Sequence, residues 1–126
     1  MGGGSSTILG GDSALDALGM LAKMCGVDER ERKPCEDVIY GYAFTRAKVE
    51  QALPAMVAVL RDIKRRDDRS ITGQVLGVIV LWSGATVSEE ILAPCTECAN
   101  DDDWMREEGT RSSRGRHIAA LVAALA

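Results

Sequence analysis

Residues 45–63 read TRAKVEQALPAMVAVLRDI, and within them Val49, Leu53, Met56, Leu60 and Ile63 recur at alternating steps of four and three. Steps of that size return to the same side of an α-helix, so these side chains form one apolar stripe. Thr45 supplies a capping hydroxyl at the start, and Asp62, Lys64, Arg65, Arg66, Asp67, Asp68 and Arg69 make a charged end. Pro54 has no N–H to give to the helix, which predicts a bend near Leu53. The stripe has two uses: burial in the chain's own core, or contact with a partner or a second copy.

Outward from this segment the chain keeps a helical rhythm. Leu15, Leu18, Leu21 and Met24/Cys25 predict a helix opened by Asp12 or Ser13 and closed by Gly26 in a C-terminal capping position. Residues 28–33 are charged with mixed sign and read as a solvated linker or a first turn. Pro34 suits a first helical position, giving a second helix over about residues 34–46. From Ser70, the spacing of Ile71, Val75, Val78, Ile79 and Trp82 favours a buried helix over a strand. Ser83-Gly84-Ala85 reads as a turn, and Thr86-Val-Ser-Glu89 as a capping box opening a short helix that Pro94 closes. Residues 118–126 form an Ala-rich final helix. The fold class expected is all-α, a small bundle of about five or six helices.

Composition agrees with this class. The chain has 126 residues, 46% hydrophobic and 27% charged, which suits one domain, and only 4% aromatic, so Ala, Val, Ile, Leu and Met must fill the core. Residues 1–11, rich in Gly and Ser, predict a flexible tail; residues 12–126 form the single helical domain, with a mobile segment at about 99–116. No run reaches the roughly 18–20 apolar residues of a membrane-spanning helix. The amino terminus lacks the basic start of a secretory signal, and the compartment expected is the cytoplasm. A net charge of −4 argues against wholesale coating of nucleic acid.

The residues most able to carry chemistry are Cys95 and Cys98, whose two-residue separation lets both thiolates reach one tetrahedral ion. Zinc is the cofactor this spacing suggests, as a clip on the loop 94–99, with the further ligands drawn from Cys35, Cys25, His117 and carboxylates such as Asp101, Asp102 or Asp103; the alternative is a set of plain thiols. Glu89, Glu90, Glu97 and Asp101–Asp103 surround the pair with negative charge, which disfavours a redox thiolate. His117, the single histidine, reads as a helix-start residue exposed to water. Gly73-x-x-x-Gly77 lies in an apolar run and suits close helix packing better than phosphate binding. Two cationic groups are candidates for phosphate contact: Arg61, Lys64, Arg65, Arg66 and Arg69, and then Arg111, Arg114 and Arg116. No convergent catalytic set is visible, so a non-enzymatic role is expected.

Gly11-Asp12-Ser13-Ala14-Leu15 through Cys25-Gly26, then Tyr40 to Lys48, Gln74-Val75-Leu76-Gly77-Val78 and Cys95-Thr-Glu-Cys98 follow one another in an order that resembles the lambda-type phage late-gene antitermination Q proteins. The resemblance covers about residues 11–98. It implies a mainly helical phage or prophage transcription regulator with a zinc-binding finger, acting on promoter DNA and RNA polymerase without catalysis. Only Cys95 and Cys98 match the finger, since neither a Gly-x-Gly nor a second Cys-x-x-Cys follows them. The other expectation is a helical interaction or structural module that binds no nucleic acid and can form homo-oligomers.

Overall fold

The computed structural model describes residues 8, 12–27 and 44–125. Among them the chain is all-helical: α1 (Asp12–Met24), α2 (Arg46–Asp62), α3 (Arg66–Ser83), α4 (Glu89–Asn100), α5 (Asp103–Glu107), a 3-10 turn (Gly109–Arg111) and α6 (Ser113–Leu125). The helix expected at 34–46 falls mostly outside the described residues. No described helix is long and apolar enough to cross a membrane.

α1 buries Ala14, Ala17, Leu18, Leu21 and Ala22. It ends as its glycine predicts. Gly26 takes a left-handed φ of 71°, and the Gly26 and Val27 N–H groups return to the carbonyls of Lys23 and Ala22 at 3.0 Å each. At α2 the Thr45 hydroxyl accepts the Lys48 N–H at 3.3 Å. Val49, Leu53, Met56 and Leu60 are buried and Ile63 is half-buried against them, so the stripe packs into the chain's own core. The helix continues through Pro54, which is exposed on its outer side.

α3 is the central element and packs against α1, α2, α4 and α6. It begins inside the charged run, because Asp67 and Asp68 sit in its first turn near the positive end of the helix dipole. Val75, Leu76, Ile79 and Val80 face the core with Met56, Leu60 and Ile118.

Two expectations are corrected. α4 does not stop at Pro94 but runs on to Asn100, so Cys95 and Cys98 lie on a helix rather than in a loop. The acceptor that Pro94 deprives is the carbonyl of Glu90, an exposed first-turn residue, where a missing bond costs least. The Thr86 capping box does not form: Ser88 is the N-cap, and the Thr86 hydroxyl instead accepts from Arg46 Nη2 at 2.8 Å. Residues 99–116 comprise the end of α4, α5, the 3-10 turn and the start of α6, with the Ser112 hydroxyl accepting the Gly115 N–H at 2.9 Å. Ile8 is 1% exposed and belongs to the core.

Candidate functional site

Gly73 and Gly77 decide how helices meet on α3. A Cβ at Gly73 would lie 2.9 Å from the Ala99 backbone nitrogen and 2.9 Å from Cys98 Cβ; one at Gly77 would lie 2.9 Å from a Leu125 methyl. The absence of side chains therefore lets α4 approach at Gly73 and α6 at Gly77, and the packing role read from the Gly-x-x-x-Gly spacing holds.

The Cys-x-x-Cys motif is the other half of this crossing. Cys95 is 2% exposed and its thiol donates to the Gly73 carbonyl at 3.4 Å. Burial, with a smaller contribution from Cys98, pushes the Cys95 thiol up to about 12. Burial also raises Cys98, where Arg69 acts in the opposite direction and Glu97 and Asp101 reinforce the rise. Both thiols thus hold their protons at neutral pH, and a metal on Cys95 would have to displace a proton already bonded inside the protein.

Among the described residues, Cys25 does not join Cys95 and Cys98 in a ligand set. Cys25 points between α1 and α2, its thiol donating to Met56 Sδ at 3.7 Å, and burial raises its pKa. Among the described residues no group of three or more His, Cys, Asp or Glu side chains comes together to hold a metal. Cys35 lies outside the described residues. In folded protein at about pH 8, iodoacetamide is expected to modify Cys98 slowly and Cys95 only after unfolding, read by peptide mass spectrometry. Rapid stoichiometric labelling of Cys95 would contradict the buried placement.

The candidate phosphate-binding cations divide by environment. Arg65 meets Asp68 at 3.8 Å, Arg66 meets Asp103 and Asp67, and Arg69 donates to the Ile63 carbonyl at 3.0 Å. Arg111 donates to the carbonyls of Glu107 and Glu108, and Arg116 to those of Thr110 and Arg111. Arg61 and Lys64 are exposed beside them.

Arg114 is a correction, because its side chain is only 13% exposed and meets Asp102, 6% exposed, at 3.2 Å. It also donates to Gln74 Oε1 at 2.9 Å, while Gln74 Nε2 donates to Asp102 Oδ2 at 2.8 Å and to the Ala99 carbonyl at 3.2 Å. The three side chains brace α3, the α4–α5 corner and α6 from within, so Arg114 is not a surface phosphate contact. Sequence reading missed this brace because its three residues lie on different elements and no local spacing links them.

A second polar clasp ties α2 to the segment before α4. Glu50 Oε1 accepts from the Thr86 N–H at 2.8 Å and from Arg46 Nε at 3.1 Å. These bonds, the backbone one foremost, lower the Glu50 pKa.

Among the described residues an apolar strip lies at the surface of α3 and α6. Leu81 and Trp82 are 44% and 42% exposed. With Val78, His117, Ala120, Leu121 and Ala124 they line an open groove of about 400 Å³ between the end of α3 and α6. The signal in the sequence was a second helical phase: Val78, Leu81 and Trp82 follow the i, i+3, i+4 spacing on a different side of α3 from Val75, Leu76, Ile79 and Val80.

The fold and this groove define a small helical domain with a partly exposed apolar face. Compared with known proteins, the chain matches no family model, no curated protein and no solved structure.

Proposed function

We propose that the chain is a non-catalytic helical interaction module that takes an apolar helix against the strip formed by Val78, Leu81, Trp82, Ala120 and Ala124. The observation that carries this reading is the exposure of Leu81 and Trp82 beside small alanines on the neighbouring helix. Alanines permit a close helix approach, and a tryptophan supplies the large apolar anchor on which binding energy concentrates. His117 is the one titratable residue lining the groove, so the lining offers no acid–base pair for catalysis.

The test is a photo-crosslinking amino acid at Leu81 in the full chain, with Gln51, exposed on α2, as the control position. A defined adduct from Leu81 alone, lost when Trp82→Glu is added, is the expected result. Its mass distinguishes a second copy from a different protein. No adduct, or the same adducts from Gln51, would sink the reading.

A second reading, transcription antitermination with promoter DNA and RNA polymerase as partners, has the sequence resemblance and the exposed Arg61, Lys64 and Arg65 in its favour. Zinc on Cys95 and Cys98 belongs to that reading. Under it, Arg61→Ala/Lys64→Ala/Arg65→Ala should make the salt dependence of duplex-DNA affinity shallower by about 0.9 for each phosphate no longer neutralised. An unchanged slope, or no DNA retention by the wild type, counts against it.

A further inference from the structure

Among the described residues, Ile8 and His117 are joined by a hydrogen bond. The Ile8 backbone N–H donates to His117 Nδ1 at 3.2 Å, across a sequence separation of 109 residues, while the Ile8 side chain is among the most deeply buried in the molecule. His117 sits in α6, one turn after its first residue, at the edge of the groove shared with α3. The acceptor role requires the neutral ring with its proton on Nε2, because only then does Nδ1 have a free lone pair.

We propose that His117 is a pH-sensitive latch that holds Ile8 against the helical body and releases it on acidification. Protonation places a hydrogen on Nδ1, so an acceptor becomes a second donor pointed at the Ile8 N–H. The buried amide then loses its partner while two N–H groups oppose each other.

The surroundings favour the neutral ring. On its own helix, Arg114 lies one turn earlier and is cationic. On α3, the residues lining the groove beside His117 are Val78, Leu81 and Trp82, all uncharged; on α6 they are Ala120, Leu121 and Ala124. None of these lining residues is a carboxylate that could hold an imidazolium. Burial of the ring, and then Arg114, lower the His117 pKa from its ordinary value. The unfolded chain therefore takes up the proton first on acidification. The latch's contribution is complete above the ordinary histidine pKa and is lost as pH falls through the lower folded value.

The test is amide exchange of the full chain by NMR at about pH 7.5 and about pH 5, with Ile79 in the core of α3 as the internal reference. Protection at Ile8, corrected for intrinsic rate, is expected to fall by about fivefold to tenfold relative to Ile79 in acid, the scale of one hydrogen bond. His117→Asn, whose side-chain oxygen takes the place of Nδ1 and does not titrate, is expected to keep Ile8 protected at both pH values. His117→Ala is expected to lose that protection at both. An Ile8 protection factor that is the same at both pH values in the wild type, or unaffected by His117→Ala, would overturn the latch. If His117→Ala does not fold, Ile8→Pro, which removes the donor N–H, provides the check: the His117 ring should titrate closer to the ordinary histidine value, and an unchanged midpoint overturns the proposal.

Discussion

Asp102→Ala is expected to lower stability by about 3 kcal/mol, the lower end of the range for breaking a buried ion pair. The side chain is 6% exposed, and its removal leaves the Arg114 guanidinium, 13% exposed, without the carboxylate 3.2 Å away. Gln74 Oε1 still accepts from Arg114, which keeps the cost from rising further. Gln74 Nε2 also loses an acceptor at 2.8 Å, though the Ala99 carbonyl remains. In a thermal melt this corresponds to a fall of about 10 °C for a domain of this size. A double variant, Asp102→Ala/Arg114→Met, should lose less than the two single variants added together, because no unmatched charge is left inside. A single-variant loss below about 1 kcal/mol, or strictly additive losses, would show that the brace does not act as a unit.

Gly73→Ala should destabilise the fold by roughly 1–3 kcal/mol, whereas Gly77→Ala should be close to neutral. Alanine is favoured over glycine inside a helix by up to about 1 kcal/mol, so packing alone decides the sign at each position. At Gly73 the new methyl meets the Ala99 backbone nitrogen and Cys98 Cβ, both 2.9 Å away and both attached to α4, so the helices themselves must separate. At Gly77 it meets the methyl ends of Leu125 and Leu121, which can rotate away near the end of α6. Urea titration of the two variants measures the difference. Equal effects would mean that α4 yields as readily as a leucine rotamer, contrary to a rigid crossing of α3 and α4. Gly73→Ala should also expose Cys98 to alkylation, since the thiols lie at the same crossing.

Much of the helical content could be read locally, and the reasons are local. The stripe on α2 follows from helical spacing, the end of α1 from Gly26, and the choice of helix for α3 from the spacing around Val75 and Ile79. What could not be read was the environment that distant residues create. Arg114 looked like one of three neighbouring surface cations, but Asp102 and Gln74, 12 and 40 residues away, draw it inside. Cys95 and Cys98 looked like half of a metal site; their side of α4 instead packs against a glycine 22 residues from Cys95. Ile8 sat in a composition that promised no order, and its partner is near the opposite end of the chain.

The sequence by itself therefore determined that α1, α2 and α3 are helical and which stripe of α2 is apolar, because periodicity, caps and glycines act within one or two turns. Only the tertiary structure decided which polar groups are buried, where α4 crosses α3, and that Leu81 and Trp82 remain at the surface. Those outcomes depend on close packing and on charge and hydrogen-bond partners brought together from far along the chain, and no local pattern specifies them.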